Sequence, residues 1–126
     1  MIYATCSNYA HEIGSLSADR RLHFYELLAH NLTVSIRGVW SEPDLPDSEK
    51  LDRIYWINET LHRITAKVYT IRLNLHEWTE DDTWAMIESH IVHNKGIEKD
   101  IMAAIKFSYN CAAGLNGEGF CGEDDA

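Results

Sequence analysis

Between Asp47 and Leu75, the residues Ile54, Ile57, Leu61, Ile64, Val68, Ile71 and Leu75 recur at alternating three- and four-residue steps. That is the spacing of one face of a long helix. Tyr55, Asn58, His62, Thr65, Tyr69 and Arg72 run along one flank of this seam as a polar and aromatic stripe, suited to lining a site or an interface. At 1.5 Å per residue the helix would reach about 43 Å. The helix before it, from Ala18 to Val39, is about two turns shorter and carries its apolar stripe on Leu22, Tyr25, Ala29, Leu32, Ile36 and Val39. The excess length must overhang, bend or meet another chain, which makes a homodimer the expected assembly.

Helix breaks divide the rest. The link Ser41-Glu42-Pro43-Asp44-Leu45-Pro46 holds both prolines of the chain, which interrupt helices. Ser17 or Asp19 would cap the first helix, and Asp47 or Ser48 the second. A third helix begins at Thr79, buries Trp84, Ile87 and Ile91, and ends at Asn94-Lys95-Gly96. There a cation and a residue tolerant of positive φ suit a C-terminus. The fourth runs from Ile97 to Ala112 with Ile97, Ile101, Ala104, Ile105 and Ser108 inward. Short links favour antiparallel neighbours. The expected fold is therefore all-α, an antiparallel bundle of about four helices in one domain over 1–113, followed by a flexible, disordered acidic tail over 114–126. The first sixteen residues show no clear period, and Tyr3 and Tyr9 are expected to reach across the bundle.

The 126-residue chain has a net charge of −9, and that charge is unevenly spread. The stretches Ser41 to Asp52, Glu77 to Asp82 and Glu118 to Asp125 carry four net negative charges each, leaving the remainder at +3. Direct nucleic-acid binding is disfavoured, since phosphate recognition needs clustered Lys and Arg. The acid clusters fit either a surface that docks on a basic protein partner or helix N-termini, where the macrodipole favours carboxylates. No apolar run approaches the ~20 residues of a membrane span, and no leader pattern opens the chain. A cytoplasmic location follows as the expectation. Three cysteines, Cys6, Cys111 and Cys121, lack the spacing of a zinc site and are expected as free thiols.

Candidate chemistry is sparse. Gly117-Glu118-Gly119-Phe120-Cys121-Gly122 has the glycine spacing of a dinucleotide loop, yet no strand precedes it and no helix can follow it. Phosphate loops and serine-nucleophile elbows are absent. Histidines offer more: Glu59-x-x-His62, Glu26 with His30 and His23, and His90 with His93 lie at helical spacing, with Glu88 close to the last pair. Di-iron bundles use Glu-x-x-His twice, whereas here it occurs once. If the first two helices lie side by side, Glu26, His30, Glu59 and His62 would meet and act as acid and base or hold a ligand. Arg37, Asn58 and Arg63 complete this candidate ligand set, with no catalytic residue assigned, no cofactor implied and any metal left open.

Aromatic residues point to another class. Tyr55, Trp56, Tyr69 and Arg72 are the side-chain types that anchor protein interfaces. Trp56 fits a lid over the first or fourth helix better than a partner contact. The expected function is a small interaction or regulatory protein, with inhibition of a basic partner as one form of it, rather than an enzyme. The competing expectation is a metal- or small-ligand-binding bundle with a His/Glu site, hydrolytic in its strongest form.

Overall fold

The computed structural model describes residues 4–75 and 79–114, all-helical among them and without strands. Among the described residues there are five helices rather than four: α1 (Ala4–Gly14), α2 (Ala18–Trp40), α3 (Asp47–Arg72), α4 (Glu80–His93) and α5 (Glu98–Ala112). A 3-10 turn, Lys95–Ile97, joins the last two. None of the described helices is long and apolar enough to cross a membrane.

The additional helix, α1, buries Cys6, Ala10 and Ile13, which stand at helical spacing. Two of the three are small, so a hydrophobic pattern search registers them weakly. Tyr9 does reach across, stacking on Trp84 at 6.0 Å between centroids and meeting Tyr109 edge-on at 5.7 Å. Tyr3 lies outside the described residues.

In α2, Phe24, Leu27 and Leu28 are buried beside Tyr25, Leu32 and Val39. The apolar face is wider than one stripe because α2 lies between α3 and α5. Its N-terminus is capped by Ser17, whose Oγ accepts the Arg20 N–H at 3.3 Å. For α3 the capping position is Pro46, which has no side-chain acceptor, and Asp47 and Glu49 fall in the first turn.

The end of α3 corrects the expected boundary at Leu75. Asn74 takes φ 57°, its N–H reaches Ile71 O at 3.1 Å, and Leu75 N–H reaches Thr70 O at 2.8 Å. These two bonds close a Schellman motif with asparagine in the left-handed position. Leu75 thus leaves the seam after the helix has stopped. With 26 residues in α3 against 23 in α2, the difference is under one turn, and no overhang argues for a dimer.

Thr79 caps α4 through a reciprocal box, accepting from Asp82 N–H at 3.0 Å while Asp82 accepts from Thr79 N–H at 3.5 Å. Gly96 has no positive φ among the described glycines. Its small size serves a close approach instead, since a Cβ there would stand 2.7 Å from the Arg53 guanidinium. All five inward residues expected for the last helix, Ile97, Ile101, Ala104, Ile105 and Ser108, are buried.

Packing follows the order α5–α2–α3–α4, with α1 resting on α4. Along the α2–α3 pair, Lys50 Nζ donates to Trp40 O at 3.0 Å near the link, and Glu26 pairs with Arg72 further on. The expected disordered tail, the glycine-rich loop, Trp78 and Cys121 lie outside the described residues. Cys111 is disulfide-bonded while Cys6 is free, which corrects the expectation of free thiols throughout.

Candidate interaction face and groove

The surface of the α2–α3 pair carries a groove of about 460 Å³ lined by Ala29, His30, Thr33, Asn58, Leu61, His62 and Thr65. Three expected ligand residues, His30, Asn58 and His62, therefore converge. Ala29 and Leu61 supply apolar lining, and the polar groups of the rest provide donors and acceptors without a formal charge at neutral histidine.

The proposed carboxylates do not join them. Glu26 pairs with Arg72 across the two helices. Glu59 stands three residues before His62, about 60° round the helix, and its charge acts on His90 of α4 together with that of Arg63. The acid–base quartet is thus not assembled: two imidazoles share the groove, while the two carboxylates serve elsewhere. Arg37 is exposed on α2 and does not line the groove. Among the described residues no three His, Cys, Asp or Glu side chains are grouped to hold a metal ion.

Of the four expected interface residues, Trp56 is the one the packing takes inward. Its ring stacks on His93 at 4.4 Å and 25°, and lies 5.4 Å from His90. It covers α4. Tyr55 stays exposed with its ring edge-on to Trp56 at 4.9 Å. Tyr69 is exposed too, with the Arg72 guanidinium 5.9 Å from its ring centroid, inside cation–π range.

His90 is a core histidine. Its Nδ1 lies 2.8 Å from Thr60 Oγ1, and Trp56 covers it. Burial first, then the Arg63 charge, pushes its pKa below the ordinary value, with His93 adding to this and Glu59 opposing it. Folding thus favours the neutral ring. The stability this provides is present above the unfolded-state pKa of about 6.5 and is lost as pH falls through the lower folded value. Urea midpoints measured from pH 7.5 down to pH 5 should fall, and His90→Gln should flatten that slope; an unchanged slope would show that His90 does not carry it.

A second polar centre was not singled out from the sequence. Glu80, in the first turn of α4, accepts from Tyr25 Oη on α2 and from Trp84 Nε1 at 3.4 Å. Its other oxygen stands 3.2 Å from Lys67 Nζ on α3 and 3.7 Å from Arg21 Nε on α2. Lys67 is only 4% exposed. Burial, then the Glu80 charge, raises the Tyr25 pKa well above its ordinary value, so the phenol stays protonated as donor. A cavity of about 280 Å³ adjoins this centre. The signal was legible in one respect: Lys67 lies three residues after Ile64 and four before Ile71, in phase with the seam.

No nucleophile emerges from the free thiol. Burial, with Glu88 and Glu98 nearby, pushes Cys6 up to about 11, and the reactive species is the thiolate. What the geometry defines is a helical protein whose α2–α3 face is open and uncovered by α1, α4 or α5. Comparison with protein-family models, curated proteins and solved structures matches none of them to this chain.

Proposed function

We propose that the protein acts by binding another protein through the open α2–α3 face, as an interaction or regulatory module within an antiparallel bundle. The observation that carries this reading is the stripe beside the groove. Tyr55, Asn58, His62, Thr65, Tyr69 and Arg72 are all exposed, and Leu51 and Leu73 add large apolar surface to the same side. Tyrosine and arginine are enriched at interface centres, and exposed apolar surface of this kind marks interaction sites. A homodimer is the simplest assembly.

A basic partner at the acid clusters is the weaker form of this reading. Asp47, Glu49, Glu80, Asp81 and Asp82 occupy first helical turns, Glu49 is paired with Arg53 at 2.8 Å, and Asp52 accepts from Asn94 at 2.6 Å. Those acids already have structural roles.

The test is photo-crosslinking in cells with benzoyl-phenylalanine at position 55 or 69, and at Ala103, exposed on α5, as control. Discrete light-dependent adducts from 55 and 69 but not from 103 are expected; equal labelling at all three would overturn the reading. A small-ligand groove is the second reading, favoured by the convergence of His30, Asn58 and His62. Elemental analysis of untagged protein tests its metal form: stoichiometric metal lost in His62→Ala would favour it over protein docking.

A further inference from the structure

The large exposed side chains of α3 are placed symmetrically about one residue. His62 is its midpoint. Tyr55 lies seven residues before it and Tyr69 seven after; Leu51 lies eleven before and Leu73 eleven after. Asn58 and Ala66, both exposed, stand four residues to either side. All of these positions fall within about a third of the helix circumference at 100° per residue. Both flanking pairs are solvent-facing large apolar side chains: Leu51 is 56% exposed, Leu73 65%, Tyr55 53% and Tyr69 55%. Such a stripe is unusual for a solvated face.

We infer that this face is occupied by a second copy of the chain, with the two α3 helices lying antiparallel about a two-fold axis at His62. An isologous interface requires that residue i meets j and j meets i. The palindromic spacing supplies this: Tyr55 of one copy faces Tyr69 of the other, Leu51 faces Leu73, and His62 faces its own counterpart. A partner of unrelated sequence would have no need of that symmetry.

Charge and area agree with this occupant. Between Leu51 and Leu73 the palindromic stripe contains no formal charge, and the flanking Arg72 is neutralised by Glu26. An acidic chain of net charge −9 can therefore meet itself here without opposing carboxylates. The stripe spans about 33 Å at 1.5 Å per residue, and the α2–α3 pair is roughly 20 Å wide, at about 10 Å per helix. Covering the stripe together with the adjoining α2 surface would bury about 650 Å² per copy, about 1,300 Å² in all, at the lower end of specific interfaces.

The inference rests on the reading above, and the experiment separates the two. Wild-type protein in size-exclusion chromatography with light scattering is expected at twice its 14.5 kDa. Tyr55→Glu should be monomeric at the same concentration with unchanged helicity, since the side chain is exposed. With a short bismaleimide, His62→Cys should cross-link to itself; Tyr55→Cys should not, but should link to Tyr69→Cys when the two are mixed.

A wild-type monomer at about 0.1 mM, weaker than a specific dimer of this size should be, would overturn the inference. So would a Tyr55→Glu dimer, or Tyr55→Cys linking to itself as readily as His62→Cys. If benzoyl-phenylalanine at 55 instead traps discrete adducts of other mass in cells, self-docking fails while the protein-binding reading stands. If it traps nothing, both fail.

Discussion

Trp84→Ala should cost about 3–5 kcal/mol, the range for removing a fully buried tryptophan. The indole is completely buried where three helices meet. Tyr9 of α1 stacks on it at 6.0 Å and Phe24 of α2 at 6.2 Å. Loss of the ring opens a cavity and strands both aromatic partners, whose ring–ring contacts are worth about 0.5–1.5 kcal/mol each beyond area burial. It also removes the N–H that Glu80 accepts. Because small domains hold only about 5–15 kcal/mol in all, the variant should unfold at much lower urea and lose part of its helicity at 37 °C. Trp56→Ala, by contrast, deletes a half-buried ring on the edge of α4 and should cost less. Equal costs for the two would contradict the packing described for α1.

Glu80→Ala has the next largest expected effect, of about 3 kcal/mol, because breaking a buried ion pair from one side leaves the other charge behind. Lys67 would keep its ammonium beside the Tyr25 ring with one carboxylate fewer. Tyr25 Oη would lose its acceptor in the core, a further desolvation penalty. Lys67→Met should be milder, since Glu80 retains Tyr25 and Trp84 as donors and Arg21 as an ion-pair partner and the methionine stem can fill most of the same volume. The order of the two costs is the decisive result. If chemical unfolding shows Lys67→Met to be the more damaging, the lysine is held chiefly by something other than Glu80. Neither change touches Leu51, Tyr55, Tyr69 or Leu73, so self-association of the folded fraction should survive both.

The local signals behaved as their physics requires. Paired prolines at 43 and 46 broke α2 from α3, Thr79 and Asp82 made the box that starts α4, and the apolar spacing of α5 placed all five inward residues correctly. Where the reading missed, an ordinary residue had an unusual role. Cys6, Ala10 and Ile13 form a helical face too light in hydrophobic mass to register. Asn74 adopts the left-handed conformation that ends α3, a role in which glycine is the commoner choice. The length argument for a dimer disappeared with that boundary, and the case for self-association now rests on exposure and symmetry.

The candidate site divides along the same line. His30, Asn58 and His62 were each visible as polar residues on helix flanks, yet their convergence depends on the register between α2 and α3. Register is set by how Phe24, Leu28, Leu32, Ile57 and Ile64 interdigitate, a property of two helices together. The same register takes Glu26 to Arg72, and the rotation of Glu59 relative to His62 takes it toward His90. By itself the sequence determined what needs only one helix: element type, most boundaries, and which face of each helix is apolar. The tertiary structure alone decided which polar groups meet and which stay wet, because those outcomes depend on contacts between residues dozens of positions apart. Glu80 gathering Tyr25, Lys67 and Trp84 in the core is one such outcome, and the exposed symmetric stripe of α3 is the other.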